Sequence, residues 1–172
     1  MAKKICALAL PLSVQSFVSY YPSPAGLLKI KATDTGISEV LFTDNEDEEM
    51  NTVQITDDCI QQLDEYFNKK RVSFDLPLDM EGSDFQKSVW DKLLQIPFGR
   101  TASYLDISLQ LGSEKLTRAV GNANGKNKIA IIVPCHRVIG TNGTLTGYAG
   151  GMRRKKWLLD FEQGIEEMGL FS

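Results

Sequence analysis

The chain has 172 residues, of which 42% are hydrophobic and 24% charged, a composition typical of a globular protein with one large core or two small domains. No apolar run approaches the roughly 18 residues that a membrane-spanning helix needs. Three scattered cysteines and a single histidine argue against a disulfide framework and leave little material for a zinc site. The apolar stretch after Lys3 and Lys4 is too short for a signal peptide, so we expect a cytoplasmic protein.

The net charge of −3 conceals an asymmetry along the chain. Residues 1–82 contain 7 Lys/Arg against 14 Asp/Glu, whereas residues 83–172 contain 12 against 8, so the two parts carry −7 and +4. Within residues 87–156 the counts are 12 against 3. A basic half joined to an acidic half is typical of a domain that meets an anion such as nucleic acid. Charge alone supports a solvated basic surface equally well.

The first part of the chain has the pattern of short strands separated by turns. The predicted strands are Ile5–Leu10, Phe17–Tyr20, Leu27–Ala32 and Ser38–Phe42. Apolar residues at helical spacing follow from Asp57 to Lys70. We therefore expect residues 1–74 to form a sheet covered by one helix. Cys6 and Cys59 have no histidine or basic neighbour at motif spacing, so structural roles are expected for both.

A second domain is predicted for residues 83–172, after a linker at residues 75–82. Ser83 is a suitable N-cap for its first helix. The apolar side of that helix consists of Phe85, Val89, Trp90, Leu93 and Leu94.

Two short helices separated by Gly112 follow in the basic region. Ser103 is the expected N-cap of the first, and the second is predicted from Leu116 to near Gly125. A helix–glycine–helix pattern is a weak signal alone, but combined with the charge asymmetry it favours DNA binding through a helix-turn-helix. Arg118 lies about 200° around the second helix from Leu116, so it is predicted to point away from the core.

The apolar run Ile129-Ala-Ile-Ile-Val133 predicts a buried strand that stops at Pro134, because proline has no N–H to give to a sheet. Cys135 is then expected at the mouth of that strand. The next residue, His136, is the only histidine of the protein. A thiol beside an imidazole can form a nucleophile–base pair when a third group orients the imidazole. By themselves these two residues suggest a generic cysteine enzyme.

The last part of the chain combines glycine-rich turns with a basic helix. Gly140-Thr-Asn-Gly143 predicts a turn, and the glycines of residues 145–151 would let the backbone approach a ligand closely. A final helix is predicted to begin at Arg153. Glu162 lies in its mostly apolar part, where a glutamate is usually a surface residue.

Six motifs occur in a fixed order across residues 83 to about 163. They are Phe85-Gln-x-x-Val-Trp90, Ile96-Pro-x-Gly-x-Thr-x-Ser-Tyr104, Arg118-Ala-Val-Gly121, Pro134-Cys-His-Arg-Val138, Gly147-Tyr-Ala-Gly-Gly151 and Lys156-Trp-Leu-Leu-x-x-Glu162. This series strongly resembles the O6-alkylguanine-DNA alkyltransferases, or methylated-DNA–protein-cysteine methyltransferases. The resemblance implies an α/β (α+β) protein. Its N-terminal ribonuclease-H-like domain would be followed by a mostly helical winged-helix or helix-turn-helix DNA-binding domain.

The resemblance also implies DNA repair by direct reversal. The alkyl group of O6-alkylguanine, and that of O4-alkylthymine, would pass irreversibly to Cys135 after the nucleotide is flipped out of the duplex. The thioether product has no good leaving group, so each molecule acts once, as a single-turnover S-methyltransferase. Double-stranded DNA carrying the lesion is the expected partner of a monomeric protein, with no cofactor, metal or membrane. Cooperative binding to DNA is left open.

Catalytic roles follow residue by residue from the same resemblance. Cys135 matches the nucleophile, His136 the base that takes its proton through a water, and Glu162 the residue that orients the imidazole. Tyr104 matches the tyrosine that donates a proton to the departing guanine. Asn127 matches the asparagine that braces the turn carrying the cysteine.

Contacts with the substrate are implied in the same way. Arg118 matches an arginine finger that enters the base stack from a helix in the minor groove. The other expected DNA contacts are Lys115, Thr117, Ala119, Asn122 and Lys126. The expected substrate pocket comprises Tyr104, Cys135, Val138, Tyr148, Ala149 and Gly150. In it, the Ala149 N–H would donate to O6, and the carbonyls of Cys135 and Val138 would accept from the exocyclic amine.

Three alternative functions share some of these sequence features. An alkyltransferase-like damage sensor binds alkylguanine without accepting the group, but such proteins carry another residue, typically tryptophan, where this chain has Cys135. A helix-turn-helix regulator of the bifunctional kind would carry a cysteine-rich zinc module, which this sequence does not show. A cysteine hydrolase would leave Arg118 and the basic helix pair unexplained.

Overall fold

A computed structural model describes residues 16–165, so the predicted strand Ile5–Leu10 and Cys6 lie outside the described part. In that part, the N-terminal unit consists of β1 (Phe17–Ser23), β2 (Gly26–Ala32), β3 (Ile37–Phe42) and α1 (Gln54–Phe67). The strands form an antiparallel sheet in the order β1-β2-β3, with Ser19 opposite Ile30 and Ile30 opposite Val40.

Helix α1 covers the sheet with a row of buried side chains: Thr56, Cys59, Leu63, Tyr66 and Phe67. It begins at Gln54, three residues before the predicted start, because the Thr56 hydroxyl accepts a hydrogen bond from the backbone N–H of Val53 at 3.0 Å. The helix ends at Phe67 rather than Lys70, and Lys69 has a left-handed backbone with φ of 57°. Sheet plus helix is the arrangement predicted for this part of the chain.

The second unit is mostly helical. Its elements are α2 (Asp84–Leu93), β4 (Ala102–Ser103), α3 (Tyr104–Gln110), α4 (Thr117–Gly125), β5 (Val138–Ile139) and α5 (Met152–Gln163). Strands β4 and β5 pair in parallel. The Trp90 indole N–H donates to the carbonyl of Ala123 at 2.9 Å, which joins α2 to α4 in the interior. The mixed fold class predicted from the sequence is confirmed.

Helix caps lie where the sequence placed them. The Ser83 hydroxyl accepts from the N–H of Gln86 at 3.3 Å, and the Ser103 hydroxyl accepts from the N–H of Asp106 at 3.0 Å. Gly112 follows the end of α3 with φ of +98°. One boundary differs, because Leu116 lies in a short 3₁₀ turn, Glu114–Leu116, that precedes α4.

The predicted strand at Ile129–Val133 is wrong. Only Ile129 pairs, in a single parallel bridge with Val40, and Ile131 has φ of +70°, a conformation in which a β-branched residue cannot continue a strand. The segment closes on itself instead, since the N–H of Val133 donates to the carbonyl of Ile129 at 3.0 Å. Its apolar composition reflects complete burial in a turn, which periodicity does not distinguish from a buried strand. Cys135 opens a 3₁₀ turn, Cys135–Arg137.

The two units share one interior. The bridge between Val40 and Ile129 joins β3 to the cysteine-bearing turn, and a bridge between Ile37 and Leu78 joins β3 to the segment before α2. The Tyr66 ring contacts the rings of Phe98 and Phe161 at centroid distances of 5.8 and 5.4 Å. Among residues 16–165, no helix is both long and apolar enough to cross a membrane.

Candidate active site

One buried side chain, Asn127, organises the turn that carries Cys135. Its Nδ2 donates to the carbonyl of Val133 at 2.9 Å and to Cys135 Sγ at 3.1 Å. Its Oδ1 accepts from the N–H of Ile129 at 2.9 Å. These bonds satisfy backbone groups that a strand would have paired with a neighbour. The side chain therefore both shapes the turn and touches the sulfur.

The imidazole of His136 is held by Glu162. Nε2 lies 2.8 Å from Glu162 Oε1, and both side chains are fully buried. Burial raises the pKa of Glu162, but hydrogen bonds and charges from His136 and Arg137 outweigh it and lower the pKa to about 2. The carboxylate is therefore charged, and Nε2 must carry the proton that it donates. Nδ1 is then an acceptor, and it has no hydrogen-bond partner among the described residues.

Glu162 accepts from several further donors that the sequence did not reveal. Arg137 donates from Nε to Oε2 at 2.8 Å and from Nη2 to Oε1 at 2.9 Å. The N–H of Gly99 donates to Oε2 at 3.0 Å. The Tyr66 hydroxyl, from the N-terminal unit, donates to Oε1 at 2.7 Å. Glu162, for which helix composition alone indicated a surface position and the family resemblance an orienting role, is thus buried and accepts hydrogen bonds from several donors.

Burial shifts the pKa values of the thiol and the imidazole in opposite directions. Burial raises the pKa of Cys135, although the hydrogen bond from Asn127 opposes the shift. Burial lowers the pKa of His136, although Glu162 opposes that shift. At neutral pH the resting pair is therefore a thiol beside a neutral imidazole. Such a thiol needs a base before it can attack.

A buried lysine braces the glycine-rich segment next to this pair. Lys155 Nζ donates to the carbonyl of Val138 at 2.6 Å and to that of Thr146 at 2.8 Å. Burial lowers the pKa of this lysine, and the charge of a Cys135 thiolate opposes the shift. In the sequence, Lys155 belongs to the basic run Arg153-Arg-Lys-Lys156 at the start of α5, and nothing in its spacing indicates burial.

Two pockets adjoin the site. One of about 250 Å³ contains Cys135 and is lined also by Leu41, Phe42, Asn127, Ala130, Tyr148, Ala149 and Gly150. The other, of about 590 Å³, is lined by Tyr104, Thr117, Arg118, Gly121, Gly125, Thr146, Gly147, Tyr148 and Ala149. Tyr148 and Ala149 belong to both. Of the predicted pocket residues, only Val138 lines neither; it is buried, with its carbonyl bound to Lys155.

Tyr104 begins α3 at the wall of the larger pocket. Its hydroxyl oxygen accepts a hydrogen bond from Thr146 Oγ1 at 3.1 Å. That bond leaves the phenolic proton available to a second partner in the pocket.

Helix α4 and the residues at its two ends expose most of the predicted DNA contacts. The exposed residues are Lys115, Arg118, Ala119, Asn122 and Lys126. Thr117 is half-buried, and its hydroxyl donates to the carbonyl of Glu114 at 2.6 Å. Arg118 also lies at the edge of the larger pocket, so this exposed surface and the pocket are continuous.

Both parts of the chain match one family of known proteins. Residues 17–80 match the 6-O-methylguanine DNA methyltransferase ribonuclease-like domain, and residues 84–164 match the DNA binding domain of the same family. A methylated-DNA–protein-cysteine methyltransferase of Methanosarcina barkeri is 42% identical over 151 residues, which cover 82% of this chain and 93% of the relative. One of Mycobacterium tuberculosis is 54% identical over 105 residues, 61% of this chain. That match spans 64% of the M. tuberculosis relative, less than two thirds of its length.

Solved structures of the same family also resemble this chain. The crystal structure of the M. tuberculosis O6-methylguanine methyltransferase is 39% identical, with a TM-score of 0.80, and covers 91% of this chain and 98% of its own. A second crystal structure, of the M. tuberculosis OGT in complex with DNA, has a TM-score of 0.79 at 39% identity. The match covers 90% of this chain and 96% of the OGT chain. The chain therefore belongs to the 6-O-methylguanine DNA methyltransferase family, as the ordered motifs predicted.

Proposed function

We propose that this protein repairs DNA by moving a methyl or larger alkyl group from O6 of guanine to its own Cys135. The observation that carries the proposal is the arrangement around the sulfur. Cys135 faces a pocket, Asn127 contacts Sγ, and the neighbouring His136 is fixed by Glu162 with Nδ1 left as an acceptor. These are the nucleophile, base and orienting group that transfer to a thiol needs.

The first step generates the thiolate. The Cys135 S–H proton passes through a water to Nδ1 of His136, and Glu162 stabilises the imidazolium that results. The thiolate then attacks the alkyl carbon, an S–C bond forms, and the C–O6 bond breaks. Its electron pair stays on the guanine oxygen.

The departing guanine needs a proton. Tyr104 supplies it to the ring, because its hydroxyl is held by Thr146 and keeps its own hydrogen free. The N–H of Ala149 donates to O6 in this proposal. The carbonyls of Cys135 and Val138 accept from the exocyclic amine. Lys155 already occupies one lone pair of Val138, and a carbonyl oxygen offers a second.

Double-stranded DNA is the proposed partner. A related M. tuberculosis protein has been solved in complex with DNA, and in this chain the exposed Arg118 of α4 lines the larger pocket, with Lys115 and Lys126 exposed at the two ends of the helix. Arg118 fills the gap that the flipped nucleotide leaves. Because the minor groove carries a degenerate code, such a helix can act in any sequence, as a repair protein must. DNA as substrate also supports the proposed cytoplasmic location.

The product is a thioether, which is not hydrolysed at neutral pH, so each molecule acts once. This separates the proposal from a damage sensor that binds alkylguanine without accepting the group, a function for which Cys135 would be unnecessary.

O4-alkylthymine is a second proposed substrate, because transfer from its oxygen follows the same chemistry.

Intact-protein mass spectrometry tests the proposal. After incubation with an excess of duplex containing O6-methylguanine, the protein gains one methyl group and no more, and Cys135→Ala gains none. An unchanged wild-type mass, or a methylated Cys135→Ala variant, would refute it.

A further inference from the structure

Three donors converge on a single oxygen of Glu162, and one comes from the N-terminal unit. Oε1 receives Tyr66 OH at 2.7 Å, Arg137 Nη2 at 2.9 Å and His136 Nε2 at 2.8 Å. The motifs of the site all lie in the second unit. Tyr66 lies in α1 of the N-terminal unit, 96 residues before Glu162 in the chain. Among the described residues, Tyr66 is the one side chain of the N-terminal unit that hydrogen-bonds to this carboxylate.

We propose that Tyr66 is a positioning residue for alkyl transfer, which holds Glu162 Oε1 in place and takes up part of its charge so that His136 stays neutral and ready to accept the thiol proton. This inference rests on the proposed function, because it assigns His136 the role of base. With this role for Tyr66, the N-terminal unit does more than pack against the second unit: it also influences the rate of alkyl transfer.

The surroundings of Tyr66 suit a fixed donor. Its side chain is fully buried, and its ring lies between those of Phe67, Phe74, Phe98 and Phe161 at centroid distances of 5.1 to 5.8 Å. Burial, together with the charge of Glu162, raises the pKa of Tyr66 well above its usual value, so the hydroxyl keeps its proton. A fixed ring whose hydroxyl keeps its proton donates one hydrogen bond in one direction.

The sign of the effect on His136 follows from the charges that face it. Glu162 and Lys155 on α5, and Arg137 on the same turn as His136, act on the imidazole. Glu162 favours the imidazolium form, whereas Arg137 and Lys155 oppose it. A hydrogen bond from Tyr66 to Oε1 weakens the electrostatic stabilisation that Glu162 gives to the imidazolium. Removal of that hydrogen bond therefore raises the pKa of His136. The transfer rate falls when His136 is protonated, so the acid limb of the pH–rate profile moves to higher pH.

Tyr66→Phe removes the hydroxyl and keeps the ring. With saturating duplex in single-turnover reactions, we expect the acid limb to move up by about one pH unit, and the rate below its midpoint to fall about tenfold. Because His136 is the only histidine, its imidazole signals in an untagged protein report the same rise directly by NMR. Affinity for the damaged duplex stays unchanged, because Tyr66 is buried away from the exposed residues of α4.

The matched control is Tyr21→Phe. It also removes a phenol hydroxyl of the N-terminal unit, one that donates to Asp64 at 3.2 Å in an exposed position, and it leaves rate and profile unchanged. A Tyr66→Phe variant with the wild-type profile would overturn the inference. So would one that is slower but has an unmoved acid limb, because that behaviour marks a purely structural role. If wild-type protein accepts no methyl group, the proposed function itself has failed.

A second variant covers the case in which Tyr66→Phe does not fold. Incorporation of a difluorotyrosine at position 66 keeps the ring and the hydroxyl but makes the phenol a stronger donor. The acid limb and the His136 pKa then move to lower pH, opposite to the Tyr66→Phe shift. No movement, or movement to higher pH, would overturn the inference.

Discussion

Cys59 and Cys135 are both buried, yet their surroundings have opposite chemical character. Cys59 lies in α1 against the sheet, and burial raises its pKa to about 12. Cys135 is 5% exposed and its pKa is also raised, but Asn127 contacts its sulfur, His136 follows it, and a pocket opens beside it. The comparison teaches that the two thiols do not differ in their resting protonation state, because burial raises both pKa values. Cys135 differs in having an imidazole of fixed orientation as its neighbour and space beside it for a ligand.

The difference therefore lies in polar partners that only the second region has. Glu162 is the centre of that polar cluster, because His136 and Arg137 both bond to it and it is charged at neutral pH. Three variants test this difference between the surroundings of Cys135 and Cys59. They follow from the largest expected effect to the smallest.

Glu162→Gln should make the Cys135 region resemble the Cys59 region most closely. The neutral amide neither stabilises an imidazolium nor balances Arg137, so the single-turnover rate on damaged duplex falls about 100-fold or more. The free energy of unfolding falls by about 3 to 5 kcal/mol, because a buried arginine loses its partner. Stopped-time transfer assays and urea unfolding measure the two losses.

Glu65→Gln is the control for that change. Glu65 also pairs with an arginine, Arg71, at 2.7 Å, but both side chains are more than a quarter exposed. We expect at most about 1 kcal/mol of lost stability and an unchanged transfer rate. Equal losses of rate in the two variants would contradict a catalytic role for Glu162.

Arg118→Ala leaves the polar partners of Cys135 intact and removes the side chain that we propose enters the base stack of DNA. Loss of a side chain that fills the base stack is worth about 1 to 3 kcal/mol, so repair of duplex slows about tenfold to a hundredfold. Reaction with free O6-benzylguanine, which needs no nucleotide flipping, keeps its rate. Lys70→Ala, which removes an exposed charge from the N-terminal unit, serves as the control. Equal slowing of both reactions would contradict the proposal that Arg118 enters the base stack of the duplex.

Cys59→Ala has the smallest expected effect. The transfer rate stays within about twofold, because Cys59 lies in α1 and is not among the groups that act electrostatically on Cys135. The small void in α1 lowers the free energy of unfolding by about 1 kcal/mol, as thermal unfolding would measure. A large loss of transfer would mean that the two regions are coupled and that their comparison is misconceived.

Local features of this molecule were readable from the sequence, and long-range ones were not. The caps Ser83 and Ser103 depend on neighbours three residues away, so their sequence signals were sufficient. Cys135, His136 and Glu162 were found because their motifs resemble those of a known family. The geometry then placed His136 and Glu162 in contact.

The missed features depend on contacts distant in the chain. Tyr66 has the spacing of an apolar core residue, and only the packing of the two units brings its hydroxyl to Glu162. The β-branched residues around Ile131 predict a strand, whereas the hydrogen bonds of Asn127 stabilise a turn there. Arg137 belonged to a recognised motif, but its partner could not be inferred from it.

Mapping the transferred methyl group to a peptide tests the central claim most directly. Wild-type protein is incubated with an excess of duplex containing O6-methylguanine, digested, and analysed by tandem mass spectrometry. The account predicts one methyl group per molecule, carried entirely by the sulfur of Cys135, with the Cys59 peptide unmodified. A methyl group on Cys59, or continued turnover without any modified cysteine, would contradict it.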